Sequence, residues 1–127
     1  MRVIWSQEPF VTRDREPVEL WADGRRLGRL EVADTAWRRL CGLLGRRELE
    51  GALLLRPCSS VHTLGMTMTI DVAHLTKDLV VLDVRTMGRN RMEGPRRRSR
   101  AVLETEAGVM AQWGLTAGTR LEVRRAR

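Results

Sequence analysis

Apolar residues recur along this chain in short alternating runs, a pattern that predicts strands with only brief helical interludes. Val18 and Leu20, the Asp23-Gly24 dipeptide, and then Leu27, Leu30 and Val32 predict a hairpin near the start. Asp34 or Thr35 is placed to cap a helix in which Trp37, Leu40, Cys41 and Leu44 fall at helical spacing, with Gly42 or Gly45 ending it. GALLLRP (51–57) is a continuous apolar run stopped by Pro57, as a buried strand requires. IDVAHL and LVVLDVRT flank Thr76-Lys77-Asp78 and predict a second hairpin. The arginine-rich stretch that follows reads as a loop, marked by Gly94-Pro95. AVLE (101–104) reads as a strand. Thr105 can cap a short helix holding Val109, Met110 and Trp113, and Gly114 closes it. Leu121 and Val123 alternate with polar residues in a final strand. The sum is about seven or eight short strands and two short helices, a mainly β fold of small sandwich or barrel type. No βαβ repetition suggests a parallel sheet.

The segment 58–75 carries the candidate chemistry. If it is extended, its side chains alternate between two faces. Cys58, Ser60, His62, Leu64, Met66, Met68, Ile70, Val72 and His74 then share one side, which lines either a core or a pocket. Asp71 falls on the other side, so a direct pair with His62 needs a bulge. A carboxylate within an apolar strand needs a partner, and Arg39 or Arg46 is available.

Composition narrows the class. With 127 residues, 43% hydrophobic and 31% charged, the chain reads as one globular domain, its core about 17–124 and residues 1–16 an N-terminal extension. No stretch approaches the roughly 20 apolar residues of a membrane span, and the N-terminus shows no export signal, so a cytoplasmic protein is expected. Cys41 and Cys58 form no CxxC or zinc spacing and read as two reduced thiols.

Charge adds a second candidate surface. The formal net charge is +7, and every basic side chain except Lys77 is arginine. Arg89, Arg91, Arg96, Arg97, Arg98 and Arg100 cluster in one segment, a field that attracts polyanions. No aromatic residue is interleaved for base stacking and no docking motif accompanies them, so only weak, non-specific polyanion binding is expected.

Within the central segment, Cys58, His62, Met66 and Met68 are the soft donors that select Cu(I). Successive same-face residues lie roughly 7 Å apart on a strand, too far to share one ion unless the chain turns at Gly65. The methionines are therefore read as core filling, and neither a metal nor another cofactor is expected. His62 is the stronger candidate for proton exchange, and His74 reads as structural. Ser59 and Ser60 lack a GxSxG context or a placed third member, and no P-loop or dinucleotide fingerprint is present.

Four ordered blocks, GLLGR (42–46), GALLLRP (51–57), HTLGM…IDVAHL and AVLETEAGVMAQWGLTAGTRLEV (101–123), resemble the uncharacterised bacterial and archaeal family called Domain of Unknown Function 192. The resemblance spans about 17–124 and implies a compact, jelly-roll-like β domain of no established activity. The family's central block commonly begins FWMKNT. Val61-His62-Thr63 stands at its aromatic start here, and Cys41 stands where an arginine is usual.

The expected role is a small, non-enzymatic binding or accessory module for a small polar ligand or a protein partner. Its shallow polar pocket around 58–71 is expected to use His62, Thr63, Met66, Asp71 and Arg46. One alternative is an enzyme with His62 as acid or base and Asp71 beside it. The other is a polyanion binder acting through the 89–100 loop.

Overall fold

The computed structural model describes residues 17–126, so the 1–16 extension lies outside the described residues. The elements are β1 (Val18–Ala22), β2 (Arg25–Ala33), α1 (Ala36–Cys41), β3 (Ala52–Leu55), β4 (Val61–His62), β5 (Ile70–Leu75), β6 (Val81–Met87), β7 (Met92–Glu93), β8 (Ala101–Glu106), α2 (Val109–Trp113) and β9 (Leu121–Arg125). Seven strands form one mixed sheet in the order β6-β5-β8-β3-β2-β1-β9, and β4 pairs with β7 in a second, smaller sheet. Val80 bridges Arg120, and Leu121 N–H donates to Leu79 C=O at 2.9 Å, so the two edges of the large sheet meet at one end. The result is an open, barrel-like β fold with two short helices.

Both expected hairpins form. Asp23 and Gly24 have φ of 51° and 74°, the left-handed pair that a tight two-residue hairpin turn demands. β2 and β3 differ from the expected pattern. They run parallel, with Leu30 opposite Ala52, and α1 makes the crossover between them. A single βα unit inside an otherwise antiparallel sheet leaves no repeat for the sequence to display.

The sheet is covered on both faces. On the concave face Leu20, Leu30, Leu54, Leu75, Leu103 and Met110 form one apolar cluster. On the outer face Leu43, Leu53, Met66, Met68, Ile70 and Val72 form another, roofed by the chain between α1 and β5. β3, β5 and the first five residues of β8 are therefore buried throughout, which is why GALLLRP reads as an unbroken apolar run rather than an alternating one.

Segment 58–75 is not one strand. β4 ends at His62, the chain turns at Leu64–Gly65 with Gly65 at φ 74°, and β5 starts at Ile70. The shared face of His62 and His74 dissolves, because the two histidines lie in different sheets. The basic stretch is also not wholly loop, since Met92–Glu93 pairs with Val61–His62.

The caps reveal Asp71's role. Thr35 caps α1 as expected, its hydroxyl accepting from Arg38 N–H at 3.1 Å. Thr105 does not cap α2. It stays in β8, and the first residue before the helix is Gly108, which has no side chain to offer. Asp71 supplies the missing acceptor from β5: its Oδ2 accepts from Gly108 N–H at 2.8 Å and Met110 N–H at 3.2 Å. Oδ1 accepts from the Thr86 hydroxyl at 2.7 Å. The partners are thus helix backbone and a hydroxyl, in place of the Arg39 or Arg46 expected. Replacing Asp71 with alanine strands two N–H groups near the core and is expected to cost about 2–4 kcal/mol in urea unfolding, against about 1 kcal/mol for Thr86→Val. Equal costs for the two variants would show that the helix cap is not what Asp71 supplies.

Candidate functional site

A narrow cleft opens beneath α1, between the helix, the 60–66 segment and the outer face of the sheet. Arg39, Leu40 and Cys41 of α1 and Leu43 just beyond it form one wall. Ser60, Val61, His62 and Met66 form the other, with Leu55 of β3 behind. Glu104 of β8 is the floor. The space open to a water-sized sphere is about 40 Å³, room for one or a few waters or the end of a small ligand.

Glu104 dominates the chemistry. Its backbone register places it between Leu53 of β3 and Val72 of β5, both in the outer apolar cluster. The residue is 4% exposed, and its Oε1 is buried without a hydrogen-bond partner among the described residues. A Cβ on Gly42 would sit 3.8 Å from that oxygen, so the end of α1 covers it directly. Burial alone pushes the carboxyl up to about 8, so it is largely protonated and neutral at pH 7. The sequence contained the clue, a glutamate inside the apolar AVLET run. The sequence alone does not single it out, because a strand with one wet face explains such a residue equally well.

The other polar groups around the cleft are mainly donors. His62 Nδ1 accepts from Leu64 N–H at 3.3 Å, which leaves the neutral ring's proton on Nε2. Arg39 directs one guanidinium nitrogen to the carbonyls of Asp34 and Arg56, at 3.0 and 3.5 Å. Cys58, beside the cleft, donates its thiol proton to Ser60 C=O at 3.1 Å. Its titration is pushed up by burial first and by Glu104 second, while the Ser60 contact and Arg39 oppose the shift. A protonated thiol in that setting is a poor nucleophile and a poor metal ligand.

Of the residues expected to share a pocket, only His62 and Met66 line this cleft. Thr63 is fully buried and ties the turn to the following loop: its hydroxyl donates to Gly88 C=O at 2.7 Å and accepts from Arg91 N–H at 2.8 Å. Arg46 makes a two-pronged pair with Glu31, both contacts 2.9 Å. Asp71 caps α2. Met68 belongs to the outer apolar cluster, and no group of three His, Cys, Asp or Glu side chains among the described residues is arranged to hold a metal ion.

A second polar cluster surrounds His74. Its Nδ1 lies 2.9 Å from Ser99 Oγ, and its Nε2 faces Glu93 Oε1 at 3.6 Å, beyond a hydrogen bond. Serine, histidine and glutamate thus stand in triad order, yet Ser99 is fully buried and His74 1% exposed, so no substrate reaches them. Burial, reinforced by Arg96, lowers the histidine's titration against the pull of Asp83 and Glu93. The ring is neutral at pH 7 and organises the 92–99 segment.

Arg96 belongs to that cluster rather than to a free basic surface. Its guanidinium pairs with Asp83 and lies 3.5 Å from Glu93. Arg89, Arg91, Arg97, Arg98 and Arg100 are exposed. Arg96→Ala is expected to cost about 1–2 kcal/mol, the partial exposure of the ion pair discounting the value for a buried one. Arg97→Ala and Arg98→Ala should each stay within about 0.5 kcal/mol in the same urea titration. Three indistinguishable variants would mean that the Asp83 and Glu93 contacts contribute nothing.

A broader depression at Glu19, Trp21 and Arg124 offers less chemistry. Its polar groups satisfy one another: Trp21 and Arg26 both donate to Glu19, and Arg124 stacks over the Trp21 ring at 4.1 Å. The unpartnered carboxyl makes the smaller cleft the candidate site.

No helix among the described residues is long and apolar enough to cross a membrane. A protein of unknown function from Novosphingobium aromaticivorans DSM 12444 shares the architecture at a TM-score of 0.71 and 22% identity, over 84% of this chain and 83% of its own. A protein from Sinorhizobium meliloti 1021, described provisionally as a transcription regulator, does so at a TM-score of 0.72 and 21% identity, over 85% of this chain and 92% of its own. Likeness at that identity shows the fold alone. No curated protein matches the chain. The family comparison reaches across the fold and the cleft alike: residues 18–123 match Domain of Unknown Function 192, described as an Uncharacterized ACR, and the chain belongs to that family.

Proposed function

We propose that residues 17–124 act as one small binding module whose ligand enters the cleft beneath α1. The observation that carries this reading is Glu104, a buried carboxyl oxygen with no hydrogen-bond partner among the described residues, at the floor of an opening to solvent. Such a group is costly to keep unless something contacts it. Binding is favoured over catalysis because, among the described residues, no second group hydrogen-bonds to Glu104 to relay its proton. Methyl-labelled methionine reports on the reading directly. A panel of small polar fragments should shift the Met66 signal, which lies in the cleft, and leave Met110, in the concave cluster, unmoved. Fragments that shift neither signal, or both equally, would remove the cleft as a site.

The exposed arginines support polyanion contact as a second reading. It ranks below the first because charge without a docking element gives only non-specific binding. Replacing Arg97 and Arg98 together should weaken DNA binding alike for all sequences, with a log–log salt slope reduced by about 0.9 per lost phosphate contact.

A further inference from the structure

We infer that the cleft selects a monocarboxylate with an apolar body, held by proton donors of Glu104, His62 and Arg39. This rests on the ligand-binding reading above and adds the class of ligand.

The first argument is donor balance. At the wall, His62 has its Nδ1 occupied by Leu64 N–H, so the neutral ring offers a donor at Nε2. Arg39 bonds two backbone carbonyls through Nη1, and Nε and Nη2 make no hydrogen bond among the described residues. At the floor, Glu104 in its neutral form adds an O–H donor. The Cys58 thiol proton is already given to Ser60 C=O. A ligand entering such a place must bring acceptors and, beside a guanidinium in a chain of net charge +7, negative charge. An ammonium ligand would have to enter beside Arg39 and would find its counter-charge only after Glu104 had released its proton to solvent.

The second argument is the rim. Trp37, Leu40 and Leu44 lie at helical spacing on and after α1, yet they are 59%, 62% and 47% exposed. Leu64, 44% exposed, belongs to the turn that meets Leu44: a Cβ on Gly65 would lie 3.2 Å from Leu44 Cδ1. Leu40 also lines the cleft, so the apolar rim is continuous with the polar floor. The opening admits a headgroup the size of a carboxylate and leaves an apolar body to lie across the rim.

The neutral form of Glu104 is the binding form, which gives the proposal a signature in pH. The facing groups are Leu53 of β3, Val72 of β5, Arg39 and Cys41 of α1, and Cys58 and His62 of the 58–62 segment. With the carboxyl titrating at about 8, affinity for a carboxylate should fall about tenfold between pH 7 and pH 9.

The test is titration of the full chain with octanoate, octylamine and 1-octanol, read by heat and by the Met66 methyl signal, at pH 7 and pH 9. Octanoate should bind best and weaken about tenfold at the higher pH. Glu104→Gln keeps an N–H donor but cannot titrate, so binding should persist and lose that drop. Glu104→Leu should abolish binding, with the fold checked by circular dichroism. Octylamine or octanol binding better than octanoate, or octanoate binding whose pH drop survives in Glu104→Gln, would overturn the carboxylate assignment and leave the cleft as a ligand site. Absence of a Met66 shift with all three probes overturns the carboxylate assignment. If the fragment panel is silent as well, the binding reading falls with it.

Discussion

Gly51→Ala should leave the protein largely unfolded, with an expected loss of about 4 kcal/mol or more in urea denaturation and a collapse of soluble yield. Gly51 lies immediately before β3 with φ of 77°, a conformation L side chains rarely adopt. An added Cβ would meet the Arg29 carbonyl oxygen at a separation no real pair shows, and its carbon and nitrogen at 2.9 and 3.0 Å. These are backbone atoms of β2, so no rotamer change relieves the contact. The parallel ladder from Leu30–Ala52 to Ala33–Leu55 would have to open, and it runs between the two apolar clusters. Gly24 provides the control, with φ of 74° but nothing within 4 Å of its added Cβ. Gly24→Ala should cost only about 1 kcal/mol, the backbone strain without the clash. Similar losses at both positions would show that strain, not close approach, sets the requirement.

The difference between those glycines also shows where sequence reading reaches its limit. The Asp23-Gly24 turn was legible because its conformational demand is local: two residues with positive φ joining two alternating runs. Gly51 was legible only as the start of an apolar run. Its constraint comes from Arg29, a neighbour created by a parallel pairing that no repeat announces. β3, β5 and β9 were recoverable from apolar runs and alternation, and α1 from Thr35 and its spacing. The direction of α1's apolar residues was not, since periodicity says which side chains share a face and not what that face meets. Here Trp37, Leu40 and Leu44 meet solvent while Leu43 is buried.

The site was legible in part for the same reason. His62 and Met66 stood out by residue type and do line the cleft. Thr63 and Asp71 also stood out, but their hydrogen bonds go to distant backbone, Gly88 and Arg91 for one, Gly108 and Met110 for the other. Neither partnership follows from spacing. Glu104 needed the opposite knowledge, that its strand is covered on both faces. Only the packing of the 41–69 segment over β8 turns an ordinary strand glutamate into a buried one.

That burial leads to the other large expected effect, a pH dependence of stability traceable to Glu104. In the unfolded chain its carboxyl titrates near the ordinary 4.5, and in the folded chain near 8. Below pH 4.5 both states hold the proton and the group does not distinguish them. Between 4.5 and 8 the unfolded state releases its proton while the native state keeps it, so the unfolded state binds fewer protons and stability falls as pH rises. Each unit costs about 1.4 kcal/mol, on the order of 5 kcal/mol across the window. Above pH 8 both states are ionised and the loss is constant. Glu104→Gln removes the titration at the cost of a buried amide, an offset of about 1–3 kcal/mol that does not vary with pH. The wild-type and variant curves should therefore diverge: the variant gains on the wild type by about 1.4 kcal/mol per unit from pH 5 to pH 8 and overtakes it within that range. Urea titrations at half-unit steps would resolve the slope. Parallel curves would mean that the carboxyl ionises in the folded state as readily as in the unfolded one. The cleft would then hold a charged floor, and a carboxylate ligand would be repelled from it.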